Sequence, residues 1–261
     1  MSDTHLAEIA EKINNMVDML LLGQSVDCVI LGYQKKQLYV LLARWKGTSI
    51  WCLPGGFILK SEDIEDAARR VLRERIGLQD NIFLRQFYTF GPGQRRRDLH
   101  PISYMGNLQE LISQDARDFL AARFITTGYY ALIDINHSKP QADLFSDECT
   151  WCSLNDLPNL MLDHEEILNR ALRQIRIELN YLPFGEALLP EKFTLGELRG
   201  LYESILGRPL DRGNFQRKML RLGHLVRHDK KQSGAAHRAP YLYSFDKQSY
   251  EQLRDKGIGY L

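Results

Sequence analysis

Residues 53–78 read LPGGFILKSEDIEDAARRVLRERIGL, and the fold is decided there. Pro54-Gly55-Gly56 predicts a turn, because proline presets one backbone angle and glycine supplies the rest. Ile64, Ala67, Ala68, Val71 and Leu72 recur at three- and four-residue steps. That spacing predicts a helix over roughly 62–76 with one apolar face. Gly77 supplies the stop, and Leu78 closes the segment. Five residues separate Gly56 from Glu62, and seven separate Glu62 from Arg70.

Upstream, Leu6, Ile9, Ala10, Ile13, Met16, Val17 and Leu20 predict an amphipathic helix over 5–22 ending near Gly23. Its apolar stripe suits packing on its own domain or against a second subunit. Val26, Cys28 and Ile30, then Leu38, Val40 and Leu42, alternate around the polar Gln34-Lys35-Lys36-Gln37. Such alternation predicts a hairpin. A short strand over Trp51–Leu53 leads into the glycine pair. Downstream, IFLRQFYTF (82–90) predicts a strand, NLQELISQDARDFLAA (107–122) a helix and RFITTGYYALID (123–134) a strand. DHEEILNRALRQIRIELNY (163–181) predicts a long helix capped by Asp163, with Glu165 and Glu166 in its first turn. Arg95, Arg96 and Arg97 form a loop that either binds phosphate or is a solvated turn.

Composition is that of a globular chain, at 44% apolar and 26% charged residues. The balance of 34 basic against 33 acidic residues conceals an asymmetry. Residues 191–261 hold 14 Lys/Arg and 8 Asp/Glu, and residues 1–190 hold 20 and 25. A basic C-terminal quarter suits a polyanion partner or a solvated face. No secretory signal or membrane span is legible, so the expectation is a cytoplasmic protein. Cys149-Thr-Trp-Cys152 is a lone CxxC without a second pair, read as structural cysteines on a strand.

Pro183-Phe-Gly and Leu189-Pro190 mark a boundary. Beyond it, Phe193–Leu206 predicts a helix with Thr194 as its N-cap. Asp211 caps a second helix, Arg212–Leu222, which stops at Gly223. Leu225-Val226 and Tyr241-Leu242-Tyr243 read as strands around the polar loop HDKKQSGAAHRAP. Helix, tight turn, helix and a basic-tipped hairpin follow the order of a winged helix-turn-helix. Arg212, Asn214, Arg217, Lys218 and Arg221 are candidate DNA contacts on the second helix, since Arg reads guanine, Asn reads adenine and Lys favours phosphate. Lys230, Lys231, His237 and Arg238 are candidates on the wing. The alternatives are a solvated surface or a protein-docking winged helix.

The Gly56–Leu78 frame resembles the Nudix box, a Gly, five residues, a Glu, seven residues, then Arg-Glu-hydrophobic-any-Glu-Glu-any-Gly-hydrophobic. Gly56, Glu62, Arg70, Glu74, Gly77 and Leu78 match. Val71 and Arg75 stand where the pattern has carboxylates. The resemblance implies a diphosphate hydrolase using Mg2+ or Mn2+, whose metal needs converging oxygen ligands. Here only Glu74 offers one, and Arg75 adds a cation. At ~4 Å a monocation and a dication repel by about 2 kcal/mol in water. Glu62, Glu65 and Asp66 leave room for weak Mg2+ binding. The expectation is therefore a degenerate box with no catalytic residues, no metal site and no required cofactor. The kept frame is then either a scaffold that has simply persisted or, as the favoured expectation, a cleft that senses a ligand through Arg44, Gly55, Gly56, Arg70, Arg73 and Glu74.

Taken whole, the chain resembles the Nudix-related transcriptional regulators of the NrtR and AraR type. Trp51-Cys-Leu-Pro-Gly-Gly-Phe57, Ala67–Leu72, Phe90-Gly91, Tyr129-Tyr-Ala-Leu132, Asp163-His164, Leu189–Leu195, Leu201-Tyr-Glu203, Asn214-Phe215 and Phe245–Tyr250 carry the match. The implied class is α+β, a Nudix-like α/β/α sandwich followed by a winged helix-turn-helix. The implied division is an N-terminal helix (1–24), a ligand-sensing domain (25–183) and a DNA-binding domain (190–261). The resemblance implies homodimers on palindromic double-stranded operators, released or remodelled by ADP-ribose or a sugar. The long N-terminal helix and the insertion at about 94–122 depart from the family frame. A pyrophosphohydrolase with an accessory nucleic-acid-binding domain is the alternative function.

Overall fold

The structure, a computed structural model, describes residues 3–77, 83–91, 106–179, 184–230, 239–246, 248, 249 and 252. It divides into two compact units. One comprises Met1–Ile30, Val40–Ala131 and Ser138–Ala171; the other comprises Leu31–Tyr39, Leu132–His137 and Leu172–Leu261.

The large sheet has seven strands: β1 (Leu20–Gln34), β2 (Gln37–Trp45), β3 (Trp51–Cys52), β4 (Gly55–Leu59), β5 (Phe83–Phe90), β6 (Ile125–Ile133) and β7 (Ser146–Ser153). Their order is β3-β2-β1-β6-β5, with β4 also on β1 and β7 on β2. The β1–β2 turn is Lys35-Lys36, both at positive φ (49° and 62°), as a two-residue hairpin turn requires. Helices α2 (Ile64–Ile76) and α5 (His164–Glu178) follow β4 and β7. Helix α2 buries Ala67, Ala68, Val71 and Leu72 and ends on Gly77 at φ 67°, where a side chain would be strained.

Several boundaries differ from the sequence reading, each because tertiary pairing overrides local periodicity. Helix α1 (Asp3–Val17) stops six residues before Gly23, since Leu20 is taken up by β1 and pairs with Leu59. Gly55 and Gly56 are strand, not turn: they pair with Asp27 and Val26 of β1. The stretch 107–122 is two helices, α3 (Leu108–Leu111) and α4 (Gln114–Ala121). Ser113 breaks them by capping α4, its Oγ accepting from Ala116 N at 3.2 Å. Helix α2 begins after Glu62, at Ile64.

Helices α1, α3 and α4 share a core. Ile9, Ala10 and Ile13 are buried with Leu108, Ile112, Ala116, Phe119, Leu120 and Phe124. The apolar stripe that suited a second subunit is thus covered by the chain's own insertion. Among the described residues no helix is long and apolar enough to cross a membrane. The CxxC lies within β7, where Cys149 and Cys152, three residues apart, alternate onto opposite faces. All four thiols are free, and burial pushes those of Cys52 and Cys149 up to about 12 and about 11.

In the second unit, α6 (Gly185–Leu188) precedes β8 (Phe193–Thr194), α7 (Leu195–Leu206), α8 (Arg212–Arg221), β9 (Leu225–Lys230) and β10 (Tyr241–Phe245). Phe193 is strand rather than helix, because it pairs with Tyr243 and makes a three-stranded sheet, β8-β10-β9. Thr194 and Glu197 form a reciprocal capping box on α7. Leu198, Leu201, Tyr202, Ile205, Phe215 and Met219 are buried.

Candidate functional site

A cavity of about 650 Å³ lies in the first unit. Strands β1 and β4 bring Ser25, Val26, Asp27, Gly55, Gly56 and Phe57 to it, and α2 brings Arg70, Glu74 and Arg75. A second wall is apolar, from Met16, Leu120, Phe124, Trp45, Leu144 and Phe145. Trp45 and Phe145 stack at 5.6 Å.

Close packing sets the glycines. A Cβ on Gly55 would meet Asp27 Oδ1 at 2.5 Å, and one on Gly56 would meet Val71 Cγ2 at 2.9 Å. Asp27 is 7% exposed and sits in a polar chain. Ser25 Oγ donates to Thr126 Oγ1, which donates to Asp27 Oδ2, each at 2.8 Å. His164 Nδ1 accepts from Leu53 N at 2.9 Å, which leaves the ring proton on Nε2, 3.8 Å from Asp27 Oδ1.

The box residues form a brace. Arg70 donates to Glu62 through Nε (3.0 Å) and Nη2 (2.6 Å), to Phe57 O (2.8 Å), and lies 3.6 Å from Glu74. Leu59 N donates to Glu62 as well, at 2.8 Å. The Arg70 bonds, with help from Leu59 N, hold the Glu62 carboxyl below its ordinary range. Arg75 is buried and donates to Asp143 and to Ser146 Oγ. Burial opposes its charge, and Asp143 outweighs that, so its pKa is raised.

These positions do not fit a divalent cation. Val71 is 1% exposed and packed on Gly56, Arg75 is itself a cation, and Glu74 alone offers oxygens there. Among the described residues no group of three His, Cys, Asp or Glu is placed to hold a metal ion.

Of the sequence candidates, Gly55, Gly56, Arg70 and Glu74 line the cavity. Arg44 and Arg73 do not, which corrects their expected place. Arg44 is drawn along the sheet by Asp147 (3.2 Å) and Glu148 (3.1 Å), and Arg73 is exposed. Sequence reasoning missed Asp27, Asp143 and the aromatic wall. His164 entered only as part of a family match.

On α8, Arg212, Asn214, Arg217 and Arg221 are exposed and Lys218 is half-buried. Asp211 caps the helix by accepting from Asn214 N at 2.8 Å, and Arg217 donates to Asn214 Oδ1. Lys192, just before β8, and Arg227, Lys230 and Tyr241 of the β9–β10 wing line a cleft of about 610 Å³. Arg227 lies 3.4 Å over the Tyr241 ring. Lys192 and Arg227 had not been singled out; Arg227 sits on β9, outside the loop to which the wing charges had been assigned. Lys231, His237 and Arg238, like Arg95, Arg96 and Arg97, lie outside the described residues.

Residues 21–174 match the NUDIX domain. The chain belongs to the NUDIX family. Residues 185–245 of this NUDIX protein match the NrtR DNA-binding winged helix domain. A curated relative from Acinetobacter baylyi, named ADPR responsive transcriptional repressor NtrR, is 29% identical over 87% of this chain and 83% of its own. The crystal structure of Shewanella oneidensis NrtR complexed with a 27mer DNA superposes with a TM-score of 0.66 at 26% identity. It covers 87% of this chain and 95% of that one. A MutT/nudix family protein from Enterococcus faecalis shares the fold at 22% identity, with a TM-score of 0.60 over 87% of this chain and 88% of that one.

Proposed function

We propose that this NUDIX protein is a cytoplasmic transcriptional regulator whose winged helix binds double-stranded operator DNA as a homodimer. Its NUDIX cavity senses a small metabolite, an ADP-ribose-like nucleotide or a sugar. The observation that carries this is the pairing, in one chain, of a NUDIX cavity lined by Arg70, Glu74 and Arg75, with no metal-holding group among the described residues, and an α8 helix that exposes Arg212, Asn214, Arg217 and Arg221. The repressor named for the Acinetobacter baylyi relative, and the DNA complex of the Shewanella oneidensis protein, support the same reading. In it Val71 and Arg75 leave the box without efficient hydrolysis, and no cofactor is required. The test is a gel shift on the DNA upstream of the protein's own gene, with and without ADP-ribose. A specific band that ADP-ribose shifts, and that Arg217→Ala/Lys218→Ala abolishes, is expected. Absence of any band at low salt overturns the reading.

The alternative, a pyrophosphohydrolase with an accessory nucleic-acid-binding domain, draws on Gly56, Glu62, Arg70 and Glu74 keeping the box frame. Turnover of ADP-ribose, NADH or sugar nucleotides with Mg2+ or Mn2+, abolished by Glu74→Gln, would establish it.

A further inference from the structure

Two arginines of α2 face the cavity, and their counter-charges are arranged differently. Arg70 is tied to Glu62, which enters the same helix, and to Glu74, one turn along it. Both partners belong to the local scaffold, and Glu62 also accepts from Leu59 N. The partner of Arg75 comes from elsewhere. Asp143 lies on the segment between β6 and β7 and itself lines the cavity. That segment rests on the end of α2 through neutral bonds, Lys139 N to Ile76 O (3.0 Å) and Gln141 N to Arg75 O (2.8 Å). Asp143 Oδ1 accepts from Phe145 N (3.0 Å) and Ser146 Oγ (2.6 Å), leaving Oδ2 for the guanidinium.

We propose that Arg75 anchors a phosphoryl group of the effector, and that Asp143 holds that place in the ligand-free protein, so that binding exchanges one anion for another. This rests on the reading of the cavity as the effector site and narrows its ligand. A guanidinium donates two parallel N–H bonds to the edge of a carboxylate or phosphate; here Asp143 Oδ2 takes one of those donors and Ser146 Oγ the other, so a phosphate edge would replace both. A ligand that takes Arg75 leaves Asp143 without its cation. Only a ligand with more charge than one carboxylate gains by that exchange, and a diphosphate does. A neutral sugar leaves the pair closed, because a hydroxyl cannot replace a buried counter-charge. The apolar wall beside it, with Trp45 stacked on Phe145, gives the ligand's ring system an apolar bed. The ligand class is therefore a nucleoside diphosphate or its sugar ester, not a free sugar. Departure of Asp143 also removes the charged tie between α2 and the segment entering β7.

Calorimetric titration of the full chain with ADP-ribose, inorganic pyrophosphate and ribose tests this. The wild type is expected to bind ADP-ribose and, more weakly, pyrophosphate, and to ignore ribose. Asp143→Asn, which removes the internal competitor, is expected to bind ADP-ribose several-fold more tightly. Arg75→Gln/Asp143→Asn replaces the ion pair by two neutral amides, which guards against loss of fold, and is expected to bind at least tenfold more weakly. Arg75→Lys, with charge but no fork, is expected between wild type and the double variant. The proposal is overturned if a folded Asp143→Asn protein binds no more tightly, or if the double variant binds like wild type. In both cases the regulator reading survives. Ribose binding as tightly as ADP-ribose overturns the exchange and turns the effector into a sugar. If no probe binds and none alters the gel shift, the effector site itself falls, and this proposal with it.

Discussion

Val71 Cγ2 stands 2.9 Å from the point a Cβ on Gly56 would occupy. Two positions of the box are thereby coupled: Val71 leaves no room for a side chain at Gly56. Val71 is β-branched and 1% exposed, so it cannot swing aside. Gly56→Ala is expected to cost about 1–3 kcal/mol. Thermal unfolding reads this as a fall of roughly 2–4 °C per kcal/mol, which Val71→Ala in the same chain partly restores. Undiminished Tm in the single variant would refute the packing.

The same contact bears on restoring the box. Val71→Glu/Arg75→Glu places one carboxylate in a packed site and leaves Asp143 facing another anion. This variant is expected to show no Mg2+-dependent hydrolysis of ADP-ribose above the wild-type level and to lose stability. Release of AMP by that variant, followed chromatographically, would show that the rest of the cavity still supports the chemistry.

Glu62 contributes through its bonds from Arg70 and Leu59 N. Its folded pKa lies below the unfolded value near 4.5. The unfolded chain therefore binds the proton first, so this stabilisation is present above the unfolded value and is lost as pH falls through the folded one. Glu62→Gln is expected to cost about 1–3 kcal/mol at neutral pH and to flatten the acid limb. Urea denaturation at several pH values checks both.

His224 destabilises in the same direction, from a different cause and over a higher pH window. It is 1% exposed, it stacks on Phe245 at 5.8 Å, and neither ring nitrogen has a hydrogen-bond partner among the described residues. Burial pushes its pKa down from 6.5 to about 4. The unfolded chain takes up the proton first, so stability drops as pH falls from 6.5 to about 4, by about 3 kcal/mol in all. His224→Phe is expected to remove that slope and leave the winged helix more stable at pH 5 than the wild type. A wild-type slope retained in the variant would assign it to other groups.

Arg217 is exposed on α8 and holds Asn214 by its side-chain oxygen. Arg217→Ala removes a cation and releases Asn214. Operator affinity is expected to fall by about 1–3 kcal/mol if Arg217 contacts a base. Where it contacts phosphate, the salt slope should shrink by about 0.9. Fluorescence anisotropy over a salt series separates the two. Phe215 and Met219 keep the helix packed, so circular dichroism should not change.

Much of the architecture was legible because periodicity reports burial. The faces of α2, α7 and α8 were readable for most of their residues, but Ile64, placed on the apolar face of α2, is 43% exposed, while Arg75 is buried. The glycine pair was misread as a turn because its partner, Asp27, lies in a strand far upstream. Asp27, Asp143 and His164 share the cavity although they are scattered along the chain, and no local pattern gathers them. Arg44 and Arg73 were plausible by charge alone, but whether a cation reaches the cavity depends on which acid claims it. Asp147 and Glu148 claim Arg44, and only the pairing of β7 with β2 brings them near.

The common core of α1 with α3 and α4 makes the N-terminal helix and the 107–122 stretch one cooperative unit. Neither half is complete without the other: Ile9 and Ile13 are the cover for Leu108, Ile112 and Phe119. A chain started at Leu20 would leave a greasy scar over the insertion and would clump rather than stay monodisperse. Loss of the insertion would strand α1 in the same way.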